Sequence, residues 1–116
     1  MRIGAAQIPV TTNVEDNLKN ILEACDWAVK NKLDYLLTPE CALSGYDTMS
    51  WNLNTCGPTE QAMEKLKEYS RDTGLGLAIG TLWIYDKDKQ GTGFGNGIHR
   101  NQLTLIQKGE IIGYVA

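Results

Sequence analysis

The sequence predicts an α/β fold, and three features of the chain support this prediction. The run from Leu33 to Leu37 is short and mostly apolar, as in a strand that is buried on both faces. Ahead of it, between Leu18 and Val29, apolar residues recur at the spacing of an amphipathic helix. Behind it, Leu75–Tyr85 is rich in Leu, Ile, Trp and Gly, which is typical of a further strand.

The first half of the chain predicts a β-α-β unit. A first strand is expected over Ile3–Pro9, and Asn13 is placed to cap the helix that follows, because its side chain accepts hydrogen bonds from free amides of the first turn. The expected buried stripe of this helix consists of Leu18, Ile21, Leu22, Cys25, Ala28 and Val29. The strand at Leu33–Leu37 should then pair in parallel with the first strand through a right-handed connection.

The second half of the chain predicts one helix and three strands. Residues 44–57 form an unusually apolar connection, after which Pro58 starts a helix that Gly74 ends. The expected inward residues of this helix are Ala62, Met63, Leu66 and Tyr69. The expected strands are Leu75–Tyr85, Ile98–Gln107 and a last one after the turn at Lys108-Gly109.

Glu40 is the main candidate for a functional residue. Pro39 lacks an amide donor and biases Thr38 away from helical geometry, so regular pairing should stop there and leave Glu40 just beyond the carboxyl end of its strand. Ligands of open α/β sheets bind at that edge. The alternative is an ordinary solvated loop carboxylate, since Glu is mostly a surface residue.

A longer pattern surrounds this residue. The segment is Leu36-Leu37-Thr38-Pro39-Glu40-Cys41-Ala42-Leu43-Ser44-Gly45-Tyr46, and it follows a strand pattern at Ile3–Pro9 and a helix pattern at Asn17–Ala28. This order resembles the amino-terminal part of the nitrilase superfamily, the carbon–nitrogen hydrolases, whose first catalytic motif has the form apolar-apolar-x-Pro-Glu-x-x-Leu-x-Gly-Tyr. The resemblance is strong over residues 2–46 and weaker over Gly74–Tyr114.

The resemblance implies a fold and a place within it. Members of this superfamily build an α-β-β-α sandwich from two sheets, so the chain is expected to form part of such a sandwich, with a mixed sheet and helices on one face. The chain has 116 residues, which is short for that fold. Residues 1–116 are therefore expected to be the amino-terminal part of one hydrolase domain, ending before the catalytic lysine and cysteine.

The resemblance also implies a chemistry, namely cysteine-dependent hydrolysis of nonpeptide carbon–nitrogen bonds in amides or nitriles. Glu40 would be the general base of a Glu-Lys-Cys set, and Tyr46 and Trp51 would line the substrate pocket, although core packing is the alternative for both. The chain alone is expected to be inactive. A second hypothesis is a noncatalytic half-domain that folds or assembles with a partner chain or with itself.

Two further features concern the surroundings of Glu40. His99-Arg100-Asn101 resembles an aromatic-Asn pair of the superfamily, and we expect a buried Asn101 to pin the loop near Glu40. His99 itself is expected to be a surface or hydrogen-bonded residue and not a base. Many relatives carry a second glutamate after the Ile-Gly of the preceding strand, whereas here Ile79-Gly80 is followed by Thr-Leu-Trp.

The three cysteines, Cys25, Cys41 and Cys56, are expected to be reduced thiols, because their spacings match no zinc pattern. Cys25 lies on the apolar stripe of the first helix and is expected in the core. Cys41 is the tempting nucleophile, but the adjacent charge of Glu40 should raise the pKa of its thiol. We expect no metal and no cofactor.

Composition and charge limit the classes of partner that this chain is expected to bind. A net charge of −3 leaves no basic stripe for nucleic acid. No apolar run is long enough to cross a membrane, and the first residues lack the pattern of a signal peptide. We therefore expect a cytoplasmic protein with a small-molecule amide or nitrile substrate, no nucleic-acid or membrane partner, and either homo-oligomers or pairing with the missing carboxy-terminal part.

Overall fold

The computed structural model describes residues 1–45, 53–85 and 98–116. In chain order, its elements are β1 (Ile3–Ala5), α1 (Val14–Lys30), β2 (Tyr35–Leu37), α2 (Leu53–Thr73), β3 (Gly76–Tyr85), β4 (Ile98–Gln107) and β5 (Glu110–Val115). The prediction of an α/β chain is confirmed, and β4 has the predicted bounds. The first strand is shorter than predicted, because ladder pairing with β2 stops after Ala5.

The five strands form one mixed sheet in the order β1-β2-β3-β4-β5. The pairs β1·β2 and β2·β3 are parallel, as helical connections require, whereas β3·β4 and β4·β5 are antiparallel. The predicted parallel β-α-β unit and the predicted mixed sheet are both confirmed. Helices α1 and α2 contact each other and pack on the sheet, so both lie on one face.

Helix α1 begins where its capping residue predicts. The Asn13 side chain accepts a hydrogen bond from the Asp16 amide at 3.0 Å, which satisfies one of the free donors of the first turn. The members of the predicted stripe are buried or partly buried except Val29, which is 39% exposed. Val29 directly follows Ala28, which is fully buried in the core, and successive residues of a helix point in different directions.

Helix α2 begins at Leu53, so the prediction that Pro58 starts it is wrong. Pro58 lies inside the helix, which forgoes the one backbone hydrogen bond that a proline cannot donate. The helix ends as predicted: Gly74 has a φ of 77°, a left-handed conformation that glycine adopts without a steric cost.

The core lies between the helices and the inner face of the sheet. Strands β2, β3 and β4 contribute Leu36, Leu77 and Ile106, which lie side by side in the strand register and are at most 1% exposed. Ile21 of α1 and Leu66 of α2 belong to the same cluster and are fully buried. This cluster fixes the sheet, and with it the strand end that carries Glu40.

The opposite face of the sheet, here called the outer face, exposes apolar side chains to solvent. Because side chains alternate along a strand, the neighbours of the inward residues point to this side. Ile3, Leu37 and Val115 are 66%, 39% and 63% exposed. The outer face therefore offers an apolar surface for a further layer.

Candidate active site

The chain leaves β2 in a fixed direction because Thr38 holds on to β3. The Thr38 amide and hydroxyl both donate to the Ala78 carbonyl, at 3.0 and 3.1 Å. The same hydroxyl accepts a hydrogen bond from the Gly80 amide at 2.9 Å. Thr38 is 4% exposed, so these bonds are shielded from competing water.

The next residues, Pro39–Gly45, form a compact segment that we call the Glu40 loop. Its backbone closes on itself through two hydrogen bonds, from the Ala42 amide to the Pro39 carbonyl and from the Gly45 amide to the Cys41 carbonyl. Gly45 has a φ of 84°, and its turn faces Thr11. The loop is thus a defined turn structure and not an open connection.

The Glu40 loop also completes the hydrogen bonding of β3. Strand β2 has 3 residues and β3 has 10, so β3 extends past its partner and needs other partners for its backbone groups. The Leu43 amide donates to the Gly80 carbonyl at 3.0 Å. The Leu82 amide donates to the Ser44 hydroxyl at 2.8 Å. The loop therefore takes over as the neighbour of β3 where β2 ends.

Gly80 is the point at which the loop backbone approaches β3 most closely. A Cβ atom at this position would lie 2.2 Å from the Pro39 carbonyl oxygen, 3.0 Å from the Cys41 amide nitrogen and 3.1 Å from Cα of Glu40. All three are backbone atoms, which cannot swing aside as a side chain can. Only glycine permits this approach.

Glu40 itself is exposed and is held by Asn101 of β4. Asn101 Nδ2 donates to Oε1 of Glu40 at 2.5 Å, and Asn101 Oδ1 accepts from the Cys41 thiol at 3.5 Å. The predicted contact between Asn101 and the loop is thus present. The expectation that Asn101 is buried is wrong, because the outer face around it is uncovered in this chain.

Cys41 lies beside Glu40 but is poorly suited to be a nucleophile. Its residue is 2% exposed and has a φ of 54°. Burial raises the pKa of the Cys41 thiol, and the negative charge of Glu40 raises it further. The thiol therefore stays protonated at neutral pH, and only the thiolate attacks carbon efficiently.

Cys25 is a core residue, as predicted. It is fully buried, and burial followed by the charge of Asp26 raises the pKa of its thiol to about 12. Cys25 and Cys41 are both free thiols, which confirms the prediction for these two; the Cys56 side chain lies outside the described residues. Within 1–45, 53–85 and 98–116, no cluster of three His, Cys, Asp or Glu residues is placed to hold a metal ion.

The other predicted site residues are only partly described. Tyr46 and Trp51 lie outside the described residues, so their role as pocket residues stays a prediction. The His99 backbone belongs to β4 and pairs with Ile84, but its side chain lies outside the description.

Sequence reasoning missed Thr38, Ser44 and Gly80 as supports of the loop. A signal for Gly80 was present in the sequence, because an isolated glycine in an apolar strand often marks a close backbone approach. Thr38 and Ser44 carried no comparable signal.

The sequence of this chain matches that of a known family. The sequence profile of the carbon–nitrogen hydrolases matches residues 2–115. The chain belongs to that family. A search of curated proteins finds no match for this chain.

Among the residues that the structure describes, neither helix is long and apolar enough to span a membrane.

Solved structures of the nitrilase superfamily share the fold of this carbon–nitrogen hydrolase chain. An amidase from Nesterenkonia sp. superposes with a TM-score of 0.73 at 21% identity, over 98% of this chain and 41% of the amidase. A glutamine-dependent NAD(+) synthetase from Cytophaga hutchinsonii superposes with a TM-score of 0.72 at 24% identity, over 98% of this chain and 18% of the synthetase. The chain thus spans well under half the length of these proteins.

Proposed function

We propose that this chain supplies the general base, Glu40, of a cysteine-dependent hydrolase that acts on nonpeptide carbon–nitrogen bonds of amides or nitriles. The observation that carries the proposal is the placement of Glu40 directly after β2, on a loop braced against β3 and bonded to Asn101. A solvated loop carboxylate needs no such bracing. In a member of the carbon–nitrogen hydrolase family, a carboxylate held at the carboxyl end of a strand fits a catalytic role.

The proposed chemistry assigns one step to Glu40. Its carboxylate takes the proton of a cysteine thiol, and the resulting thiolate attacks the amide or nitrile carbon. A lysine stabilises the negative charge that develops on the substrate oxygen or nitrogen. With an amide, the protonated Glu40 then gives its proton to the departing nitrogen, which leaves as ammonia. A nitrile instead gives a thioimidate, which must add one water before ammonia leaves. In both cases a further water hydrolyses the thioester and releases the acid and the free thiol.

The nucleophile and the lysine are proposed to come from outside this chain. Cys41 is held protonated next to the base, and Cys25 is sealed in the core on the helix side of the sheet. Neither of these two cysteines, whose side chains the structure describes, provides an accessible thiolate. We therefore propose that residues 1–116 act as the amino-terminal part of a larger active unit and are inactive alone.

The substrate class rests on the relatives. One structure of the Nesterenkonia amidase shows the acetamide moiety of fluoroacetamide added covalently at its active-site cysteine. Another is a complex of a cysteine mutant with butyramide. These observations concern that amidase, and they favour a simple amide as the first substrate to test here.

A second candidate function is a noncatalytic half-domain that assembles with a partner chain or with a second copy of itself. The outer face favours it, because Ile3 and Val115 are 66% and 63% exposed and bare apolar sheet faces and strand edges tend to pair. The same face serves the first proposal if the remaining part of the hydrolase covers it. Sedimentation of the isolated chain as a compact monomer without dye binding would count against the second candidate.

The decisive experiment replaces Glu40 by Gln in the protein expressed from its complete coding sequence and measures ammonia release from acetamide and propionamide. Because a general base contributes about 10²- to 10⁴-fold, we expect Glu40→Gln to lose at least about 10²-fold in kcat without a change in thermal unfolding. The matched control is Glu64→Gln, an exposed carboxylate on α2 that pairs with Lys67. Full activity of Glu40→Gln would overturn the role of Glu40 as general base. Glu40-dependent turnover by residues 1–116 alone would overturn the claim that this part of the protein is inactive by itself.

A further inference from the structure

Asn17 is a fully buried polar residue in the apolar stripe of α1. It is 0% exposed and lies one turn before Ile21, which belongs to the core. Burial of an amide costs free energy unless all its polar atoms find partners. The helix does not need Asn17 as a cap, because Asn13 already accepts the hydrogen bond from the Asp16 amide.

The Asn17 side chain uses its full hydrogen-bonding capacity, and it does so outside its own helix. Its Oδ1 accepts from the amide and the hydroxyl of Thr11, both at 2.9 Å. Its Nδ2 donates to the Thr11 carbonyl at 2.8 Å and to the Leu43 carbonyl at 3.0 Å. An amide has two donors and two acceptor sites on these atoms, so every one is occupied.

These bonds hold the far end of the Glu40 loop from two sides. The Leu43 amide is bonded to the Gly80 carbonyl of β3, and the Leu43 carbonyl is bonded to Asn17 of α1. Gly45 packs closely against Thr11, since a Cβ atom at position 45 would lie 2.3 Å from the Thr11 carbonyl oxygen. The near end of the loop is held separately by Thr38.

We propose that Asn17 is a positioning residue for Glu40, which acts by tying the far end of the Glu40 loop to α1 and to Thr11. This inference rests on the proposed role of Glu40 as a base. Glu40 lies between the two anchored ends, so the anchor at Leu43 limits how far the carboxylate can move from Asn101. An apolar residue at position 17 would suit the stripe, but it would remove the hydrogen-bond partner of the Leu43 carbonyl and of the Thr11 amide and carbonyl.

The test uses two cysteines of the chain as built-in reporters. Cys41 is part of the Glu40 loop, and Cys25 is part of the core; both are at most 2% exposed. Labelling with iodoacetamide in the native state, followed by peptide mass spectrometry, gives a rate for each thiol. Cys41 reports opening of the loop, whereas Cys25 reports opening of the core.

The variant is Asn17→Ala, and the matched control is Asn13→Ala at the start of the same helix. We expect Asn17→Ala to raise the labelling rate of Cys41 by about tenfold more than that of Cys25, because a buried carbonyl loses its partner locally. Asn13→Ala removes only the helix cap and should raise both rates by similar factors. Equal factors at Cys41 and Cys25 in Asn17→Ala, or an unchanged Cys41 rate, would overturn the inference.

A second variant and a second signal keep the test decisive. If Asn17→Ala does not fold, the substitute is Thr11→Val, which removes the one hydroxyl that donates to Asn17 together with that hydroxyl's two bonds to the Asn13 backbone. It is judged by the same criterion, with a smaller excess of labelling expected at Cys41. The Asn101 side-chain amide signals in NMR, which report its bond to Glu40, should move in Asn17→Ala and stay in Asn13→Ala. None of these readouts needs turnover. If the protein proves inactive on amides and nitriles but Asn17→Ala still labels faster at Cys41 than at Cys25, the proposed function is wrong and the anchoring of the loop by Asn17 stands.

Discussion

Asn101 donates a hydrogen bond to Glu40 across 61 positions of the chain. Glu40 lies in the loop that follows β2, whereas Asn101 lies in β4. Strands β2 and β4 do not pair, because β3 runs between them. The Asn101 side chain therefore reaches over β3 on the outer face. Because its carbonyl oxygen also accepts from Cys41, a single amide holds two successive residues of the Glu40 loop.

The replacement Asn101→Ala should release the Glu40 carboxylate without unfolding the chain. The bond to Glu40 joins two exposed residues and is worth about 1 kcal/mol, and the bond from the Cys41 thiol is long, at 3.5 Å, and has a weak donor. We therefore expect a loss of about 1 kcal/mol in urea unfolding. The ¹³C signal of the Glu40 carboxyl should shift. The control Asn31→Ala, which removes an exposed amide bonded to the Trp27 carbonyl, should leave the Glu40 signal unchanged. If the Glu40 signal has the same position in Asn101→Ala and Asn31→Ala, Asn101 does not hold the carboxylate.

Gly80→Ala should damage the site from the β3 side. The new Cβ would meet backbone atoms of Pro39, Glu40 and Cys41, and overpacking of this kind costs about 1–3 kcal/mol. The control is Gly113→Ala in β5, where the added Cβ has nothing within 4 Å. We expect a lower urea midpoint and altered Glu40 signals for Gly80→Ala only. Equal midpoints for the two variants would show that the loop can give way.

Thr38→Val should be destabilising although the two side chains have nearly the same shape. The Gly80 amide would lose the hydroxyl oxygen that accepts its hydrogen bond, and an unsatisfied buried donor costs about 1–3 kcal/mol. Thr12→Val, at an exposed position, serves as the control and should stay within about 0.5 kcal/mol of the parent. Thermal and urea unfolding measure both, and a neutral Thr38→Val would mean that another group replaces the hydroxyl.

Stability should fall with rising pH because of Cys25. Its folded pKa of about 12 lies above that of an exposed thiol, which is about 8.5. Between these values the unfolded chain releases the proton and the folded chain retains it, so the contribution is fully present below about pH 8.5 and is lost above it, by at most about 1.4 kcal/mol per pH unit.

The pH effect is measured by urea unfolding at about pH 8, 9 and 10, across the start of this window. Cys25→Ala should lower stability at every pH and flatten the decline. Ser70→Ala, which alters another fully buried small side chain, should lower stability and keep the slope of the parent. Parallel declines in the parent and in Cys25→Ala would contradict the prediction.

The parts of the fold that local chemistry controls could be predicted from the sequence. Asn13 caps α1 as expected, because an N-cap side chain bonds within its own turn. Pro39 ends the pairing of β2 and leaves Glu40 at the carboxyl edge of the sheet. The start of α2 was predicted incorrectly at Pro58, because a proline permits a helix start without requiring one, and the helix extends back to Leu53.

The sequence by itself determined the order of the elements, their main periodicities and the placement of Glu40 after an apolar strand, since each depends on residues within a few positions of one another. Only the tertiary structure decided which polar groups hold that glutamate. The bonds from Asn17 to Leu43 and from Asn101 to Glu40 span 26 and 61 positions, and the backbone contact at Gly80 joins β3 to the Glu40 loop. Such partners meet only after the sheet has assembled in its order, so no local pattern in the chain specifies them.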